Sequence, residues 1–308
     1  MVTSNQNVRD TISAIVSGKV LFDEPMRFHT SMGVGGTADM LVSPGAVKEL
    51  ERVVSCLARI GVPFVPVGNC TNLIVRDGGY RGAIVSLRNL TEMRLERIEG
   101  ESCYLYAEAG VSLSRIVELT VRESLSGLEF CAGIPGSVGG GTKMNAGAYG
   151  SELKDVITAI VVVNGSGSVR ETFRDELWFE YRNLELTEGI VIVSATFCLT
   201  KGSEEGIRQK VAEIIETRRN IHPLGYRSAG SVFKNPPAQP AGKIIDEIGL
   251  KGLQIGNAKI SEQHGNFIVN LGNASARDVI ALVEIIQRTV LEKRGVSLEP
   301  EIKIIGDE

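Results

Sequence analysis

The chain has 308 residues, which is enough for two domains or a small three-part enzyme. With 43% hydrophobic and 23% charged residues, it has the ordinary composition of a globular protein with a substantial core. Its formal net charge of -4 argues against a protein that binds duplex nucleic acid, and leaves open a local basic pocket for a phosphorylated small molecule.

The spacing of apolar residues predicts an α+β chain whose pattern changes near residue 203. Before residue 203, the predicted elements are a helix that begins at Ser43-Pro44 and ends at Gly61, strands over 62–67, 73–75, 83–87 and 104–109, a helix over 112–122, and strands over 157–163 and 190–199. From residue 203 onward, they are a helix capped by Ser203, a helix over 241–248, a strand over 267–271, a helix that begins at Ser275 with Asp278 and ends at Gly295, and a strand over 301–305.

The cysteines and histidines do not form a recognisable ligand pattern. The five cysteines are odd in number, scattered and never spaced C-x-x-C, which argues against a disulfide framework and against a zinc site. They are Cys56, Cys70, Cys103, Cys131 and Cys198. The three histidines are also far apart, so we expect no metal site. A polar N-terminus and the absence of an apolar run of about 18 residues predict a cytoplasmic protein without a membrane span.

Glycine-rich segments give the first functional lead. They are residues 30–37 (TSMGVGGT), 67–73 (VGNCTNL) and 133–150 (GIPGSVGGGTKMNAGAYG). Glycine lets backbone N–H groups approach phosphate oxygens, and Ser, Thr and Asn add neutral donors, so the segments indicate a dinucleotide-phosphate cradle. The alternative is that they form tight turns and close strand crossings. None has the G-x-G-x-x-G or G-K-[ST] pattern, so neither a Rossmann cradle nor a P-loop is predicted.

Together with three further motifs, these segments resemble those of the UDP-N-acetylenolpyruvoylglucosamine reductase family. The further motifs are Tyr181-Arg182, residues 229–236 (AGSVFKNP) and residues 300–302 (PEI), and all of them occur in the family's order. The strings GIPGSVGG and GSVFKNP are the most specific. The short interval between Arg182 and Ser231 resembles a compact subtype that lacks a loop with a substrate-covering tyrosine.

The resemblance implies an α+β fold in which an FAD-binding part of the vanillyl-alcohol-oxidase type has two subdomains. These would be residues 1–80 and 81–203. A smaller α+β substrate-binding domain would follow at 204–308, with the C-terminal strand returning to the active site.

The resemblance also assigns residues to FAD. They are Thr30, Gly33, Gly35, Gly36, Gly68, Asn69, Cys70, Thr71, Asn72, Gly133, Ile134, Pro135, Gly136, Ser137, Gly139, Gly140, Asn145, Ala146 and Gly147. Cys70, Thr71 and Lys143 depart from the residues usual in the family, and Lys143 adds a charge to a stretch that is usually neutral or apolar.

The implied reaction belongs to peptidoglycan precursor synthesis. NADPH reduces FAD, and the reduced flavin then transfers hydride to the enolpyruvyl group of UDP-N-acetylglucosamine enolpyruvate, which becomes UDP-N-acetylmuramate. Arg182 would bind the carboxylate on which charge develops, because guanidinium forms two parallel hydrogen bonds with it. Ser231 would donate the proton, and Glu301 would stabilise the intermediate as a neutral acid. Glu299 would share the face of Glu301 in a strand, so only the motif favours Glu301.

Substrate contacts implied by the same motifs are Tyr181, Lys234, Asn235, Lys251 and His264, and the role of Arg218 is left open. The expected partners are NADPH and the UDP-sugar, with no nucleic acid, membrane or obligate protein partner. Two other functions remain: a different FAD-dependent oxidoreductase or oxidase on the same fold, and a nucleotide-binding protein without catalysis.

Overall fold

Short strands and amphipathic helices alternate over residues 6–308, the part of the chain that this computed structural model describes. The helices are α1 (Gln6–Ile15), α2 (Val47–Arg59), α3 (Leu113–Arg122), α4 (Val138–Lys143), α5 (Glu204–Ile221), α6 (Ala241–Glu247) and α7 (Ala276–Arg294). The strands are β1 (Lys19–Pro25), β2 (Thr37–Ser43), β3 (Phe64–Val67), β4 (Leu73–Val75), β5 (Tyr80–Ser86), β6 (Met93–Glu99), β7 (Ser102–Glu108), β8 (Leu125–Ser126), β9 (Gly147–Ala148), β10 (Ser151–Glu152), β11 (Ile157–Val163), β12 (Val169–Phe173), β13 (Phe179–Glu180), β14 (Asn183–Leu184), β15 (Val191–Lys201), β16 (Arg227–Ser231), β17 (Gln254–Ile255), β18 (Ala258–Ile260), β19 (Phe267–Asn270) and β20 (Lys303–Ile305).

The first of two structural units consists of residues up to Phe22, Asp39–Asn69 and Gly82–Glu216. Its main sheet has the order β12-β11-β15-β7-β6, with β8 paired to the end of β15, and a further sheet has the order β1-β2-β5-β3. Apolar side chains of the main sheet, such as Phe197, form one core with α3, and a second core surrounds α2. The β-branched run of β11 explains its burial at the centre of this unit.

The second unit consists of Asp23–Ala38, Cys70–Arg81 and Thr217–Glu308. Its antiparallel sheet has the order β16-β19-β18-β17, and the C-terminal strand β20 pairs with β4 in parallel. Residues of α6 and α7 share a core with Phe233 and Ile268. The predicted division into residues 1–80, 81–203 and 204–308 stays a prediction.

Most of the predicted elements are present, with boundaries that shift by a few residues. Strand β11 has the predicted bounds, and Ser112 caps α3 by accepting a hydrogen bond from the Arg115 backbone N–H. Helix α7 has the predicted capping box of Ser275 and Asp278, and Gly295 ends it in the left-handed conformation with a φ of 66°. Within residues 6–308, no helix combines the length and apolar character of a membrane span.

Two predicted termini are wrong. Ser43 does not cap α2, because it is the last residue of β2, and the N-cap is Ala46 without a side-chain hydrogen bond. The last strand begins at Lys303 rather than at residue 301. The backbone N–H of Glu301 instead donates to Val232 O, which lies outside the β20–β4 pair.

We predict that Ser275→Ala lowers the free energy of unfolding by about 1 kcal/mol, because the substitution removes the N-cap acceptor of α7. Ser275 Oγ accepts from the Asp278 N–H at 3.0 Å. In α5, Ser203 Oγ accepts from the Gly206 N–H at a longer 3.4 Å, so Ser203→Ala should cost less. Chemical denaturation measures both variants, and an equal loss in the two would contradict the capping argument.

Candidate active site

Two of the glycine-rich segments meet within the first unit. Asn69 Nδ2 donates to Gly136 O at 3.1 Å, and a Cβ added to Gly68 would collide with Ser137 Oγ. Gly68 is therefore required for the close approach of the two segments. This contact brings together four predicted cofactor residues that are about seventy positions apart in the sequence.

The Ser137 hydroxyl at this junction is buried and has no hydrogen-bond partner among the described residues. A buried hydroxyl without a partner loses free energy unless a ligand or a water molecule satisfies it. A Cβ added to Gly140 would lie 3.7 Å from the same oxygen, so glycine also keeps this side of the hydroxyl open. A neutral donor between glycines suits a phosphate oxygen, and the residues present therefore fit a dinucleotide cofactor such as FAD.

Gly139 has a different reason to be glycine. A Cβ there would lie 2.6 Å from Ala109 Cβ, so a side chain would prevent α4 from packing on its neighbouring segment. Among the glycines of residues 30–37 in the second unit, this holds most strictly for Gly36, whose neighbour is a backbone oxygen. A Cβ at Gly33 would lie 2.6 Å from Arg227 Nη1, one at Gly35 would lie 3.1 Å from Val75 Cβ, and one at Gly36 would collide with Asp77 O.

A backbone hydrogen bond joins the segments 30–36 and 70–72 within the second unit: the Ser31 N–H donates to Cys70 O at 3.2 Å. Within the first of these segments, Thr30 Oγ1 donates to Val34 O at 2.7 Å. Cys70 is buried and has a φ of 52°, a conformation that glycine adopts more easily. Tight packing thus accounts for this segment without a ligand, and its contacts to FAD stay a prediction.

Arg182 lies at the tip of the β13–β14 hairpin in the first unit. Its φ of 60° is left-handed, which costs a non-glycine residue on the order of 1 kcal/mol. The guanidinium donates from Nη2 to Gly147 O at 2.8 Å, and its Nη1 lies 4.0 Å from Glu152 Oε1. Its Cζ lies 4.9 Å from the centre of the Tyr181 ring. A cation held in this way in a largely buried position is suited to binding a carboxylate.

Asn145, predicted as a cofactor residue, instead uses its whole carboxamide within the protein. Its Nδ2 donates to Glu152 Oε2 at 3.0 Å and to Glu180 O at 2.9 Å, while its Oδ1 accepts from the Lys154 N–H at 3.1 Å. The side chain is fully buried. Both amide hydrogens are therefore occupied, and the residue connects the end of the third glycine-rich segment to the Arg182 hairpin.

Ser231 and Glu301 approach one another in the second unit through the backbone. Ser231 ends β16 after Gly230, whose φ is 75°, and the strand register shifts before it. The next residue, Val232, accepts from the Glu301 N–H at 2.7 Å. Asn72 Nδ2 donates to Glu301 O at 3.0 Å. These contacts bring the backbone next to Ser231, the backbone of Glu301 and the side chain of Asn72 together, and the meeting of the serine hydroxyl with the carboxyl group stays a prediction.

Glu299 and Glu301 have different surroundings. Lys234 Nζ lies 2.7 Å from Glu299 Oε1, and the Lys234 N–H donates to Glu299 O at 2.9 Å. The expected sharing of one strand face is wrong, because neither glutamate belongs to β20. Glu299 thus takes part in an ion pair at the surface, and the choice of Glu301 stays a prediction from its motif.

The other predicted substrate residues also lie in the second unit, except for Tyr181. Asn235 Oδ1 accepts from the Ala241 N–H at 3.0 Å and so fixes the loop before α6. Lys251 Nζ lies 2.7 Å from Asp246 Oδ2. Because Arg182 belongs to the first unit and Ser231 and Glu301 to the second, their convergence stays a prediction.

Sequence reasoning missed Asn266, which supports Ser231. Its Oδ1 accepts from the Phe233 N–H at 2.9 Å, its Nδ2 donates to Phe233 O at 2.8 Å, and its own O accepts from the Val232 N–H at 2.9 Å. The signal in the sequence is an asparagine directly before the apolar run that forms β19 (Phe267–Asn270), since a carboxamide that is buried there requires partners.

His222 and His264 form an aromatic group with Phe267. The His222 ring lies 5.6 Å from the His264 ring and 4.9 Å from the Phe267 ring, measured between ring centres. Burial, together with the charges of Arg218 and His264, lowers the pKa of His222 to about 4. Burial and Lys251 likewise lower the pKa of His264. Both rings therefore favour the neutral form.

We predict that the thermal midpoint falls as the pH drops from 6.5 towards 4, and that His222→Gln reduces this slope. The unfolded chain binds a proton at His222 near pH 6.5, whereas the folded chain binds it near pH 4, so acid favours unfolding. The stabilisation that comes from keeping His222 neutral in the folded chain is fully present above pH 6.5 and is lost as the pH falls towards 4. Thermal melts over this range test the prediction, and identical slopes for the wild type and the variant would refute it.

Comparison with known proteins assigns the family. Residues 38–172 match a family model described as an FAD binding domain, and residues 222–305 match one described as the C-terminal domain of UDP-N-acetylenolpyruvoylglucosamine reductase. A protein of Syntrophus aciditrophicus with that reductase name is 51% identical over 98% of this chain and 96% of its own length. One of Caldanaerobacter subterraneus is 44% identical over 94% of this chain and 95% of its own.

A solved structure agrees with these matches. The crystal structure of UDP-N-acetylenolpyruvylglucosamine reductase from Thermus caldophilus is 36% identical, covers 93% of this chain and 98% of its own, and superposes with a TM-score of 0.78. The predicted fold class and the resemblance seen in the sequence are confirmed. The chain belongs to the UDP-N-acetylenolpyruvoylglucosamine reductase family.

Proposed function

We propose that the chain is an FAD-dependent oxidoreductase that uses NADPH to reduce UDP-N-acetylglucosamine enolpyruvate to UDP-N-acetylmuramate in peptidoglycan precursor synthesis. Family membership supports the reaction. The observation that supports it in this structure is the backbone hydrogen bond from the Glu301 N–H to Val232 O, next to Ser231, from which we infer that the serine hydroxyl and the carboxyl group serve one site.

Gly68, Asn69, Gly136 and Ser137 would hold FAD through its phosphates, because the orphaned Ser137 hydroxyl lies beside two glycines. When bound, FAD supplies the redox chemistry that links NADPH oxidation to reduction of the enolpyruvyl double bond. The predicted contacts from residues 30–36 and 70–72 would complete the site.

Arg182 binds the carboxylate of the enolpyruvyl group. As charge develops on the carboxylate and its neighbouring carbon, a guanidinium already fixed by Gly147 O needs no reorganisation. Removal of one such donor in other enzymes costs about 3–4 kcal/mol. Tyr181 stands beside the guanidinium and limits the directions it can take.

Ser231 donates a proton to the carbon next to the carboxylate. The hydroxyl is half-buried and has no hydrogen-bond partner among residues 6–308, so its proton is available to an enolate-like group. Glu301 donates a hydrogen bond to the same intermediate as a neutral acid. Its backbone is fixed by Val232 O and by Asn72, which limits the movement of the carboxyl group.

The UDP part of the substrate requires donors for its phosphates, and the second unit offers several. Lys234, Asn235, Lys251 and His264 are the proposed contacts, although all four also have partners within the protein. These partners would be exchanged or shared on binding. NADPH and nucleotide sugars are cytoplasmic compounds, so we propose the cytoplasm as the site of action, without a protein partner.

We predict that Ser231→Ala leaves reduction of the flavin by NADPH intact and slows reoxidation by UDP-N-acetylglucosamine enolpyruvate about 100-fold or more, because it removes the general acid. Anaerobic stopped-flow absorbance follows the two half-reactions separately. Ser228→Ala is a matched control on the same strand, since Ser228 Oγ accepts only a long hydrogen bond of 3.5 Å from the Gly230 N–H.

Turnover of Ser231→Ala at the wild-type rate would show that another group donates the proton. Reoxidation of the wild type by oxygen alone, without any response to the UDP-sugar, would favour an oxidase on the same fold.

A further inference from the structure

The hairpin that carries Arg182 is small and needs support from outside itself. Strands β13 and β14 pair only at Phe179↔Leu184 and Glu180↔Asn183. A two-stranded hairpin of this size is at best marginally stable alone. The left-handed backbone at Arg182 adds strain at its tip. Other residues of the first unit must therefore hold the hairpin in place.

Lys143, the last residue of α4, holds the strand that follows Arg182. Its Nζ donates to Asn183 Oδ1 at 2.9 Å and to Leu184 O. Leu184 is fully buried, so its position is also fixed by packing. The ammonium thus joins the end of a helix to both residues of β14.

Asn145 holds the strand that precedes Arg182. As described above, its Nδ2 donates to Glu180 O at 2.9 Å, and it also donates to Glu152, whose other carboxylate oxygen lies 4.0 Å from Arg182 Nη1. Together, Lys143 and Asn145 secure the two strands on either side of the arginine. Both come from the short segment that ends at Gly147, which accepts from Arg182 directly.

We propose that Lys143 is a positioning residue of the reductase: by anchoring β14, it aims the Arg182 guanidinium at the substrate carboxylate. The inference rests on the proposed role of Arg182. An error of about 1 Å in the position of a catalytic group can reduce the rate by about 100-fold. A hydrogen-bonding residue that sets this position therefore affects the rate without contacting the substrate.

The chemistry of the site explains why a cation is suitable here. The two acceptors are a side-chain amide oxygen and a backbone carbonyl on adjacent residues, and the three hydrogens of an ammonium can reach both. Methionine has a similar length and would preserve the packing of the stem, but it would leave Leu184 O and Asn183 Oδ1 without this donor. The hairpin would then be free to shift.

We predict that Lys143→Met slows reoxidation of the reduced holoenzyme by UDP-N-acetylglucosamine enolpyruvate by up to about 100-fold, while flavin reduction by NADPH stays close to the wild-type rate. Lys143→Arg retains donors for both oxygens and should recover most of the rate. Lys48→Met is the matched control, because the Lys48 side chain is 84% exposed and forms its ion pair with Glu51 on the same helix, α2. Rates are expressed per bound flavin, and stopped-flow absorbance measures them.

The decisive readout is a double-mutant cycle with Arg182→Ala. If Lys143 acts through Arg182, adding Lys143→Met to Arg182→Ala changes the reoxidation rate no further. Equal slowing of both half-reactions, or additive effects in the double variant, would overturn the positioning role and indicate a general structural one. If Arg182→Ala reoxidises at the wild-type rate, the proposed role of Arg182 fails instead, and an unreactive wild type would refute the proposed reaction itself.

Discussion

Charge that develops on a substrate is stabilised only by donors that are in place before it forms. This requirement explains the tight backbone pairing around the proposed catalytic residues. Arg182 has a strained left-handed backbone, and its guanidinium is held by the hydrogen bond that it donates to Gly147 O. Ser231 and Glu301 lie on segments joined at Val232 O. In each unit, rigidity at the site is provided by residues that need not touch the substrate.

The supporting residues have a common character. The Asn266 side chain accepts from the Phe233 N–H and donates to Phe233 O. The side chains of Asn145 and Asn72 donate to Glu180 O and Glu301 O, respectively. A carboxamide both donates and accepts, so it can replace a missing backbone partner at an irregular point in a strand. Lys143 differs because it only donates, which suits its position opposite two acceptors. Such residues explain how short, bent strands can hold catalytic groups.

Local signals in the sequence predicted the elements whose structure is locally determined. The capping box at Ser275 and Asp278 and the β-branched run of β11 are examples, because caps and strand preference depend on near neighbours. The predicted start of α2 was wrong because β2 extends to Ser43, so this serine belongs to the strand and does not cap the helix. The supporting role of Lys143 could not be predicted, since its acceptors lie about forty residues away.

The glycines show the same limit for the site. A glycine required for close packing, such as Gly36 or Gly139, and one that lies beside a buried hydroxyl, such as Gly140, are identical in sequence. Only the atoms that a Cβ would meet distinguish them. The motifs therefore identified the family and the candidate residues, while the structure was needed to show that the Ser137 hydroxyl has no hydrogen-bond partner among residues 6–308 and that the Asn145 carboxamide already has three.

The central claim is that this site reduces an enolpyruvyl ether whose carboxylate it holds. An anaerobic single turnover tests it most directly: the fully reduced holoenzyme is mixed with one equivalent of UDP-N-acetylglucosamine enolpyruvate, and product is quantified against flavin. We expect flavin reoxidation without oxygen and one UDP-N-acetylmuramate for each flavin. A flavin that stays reduced until oxygen is admitted, with the UDP-sugar recovered unchanged, would contradict it.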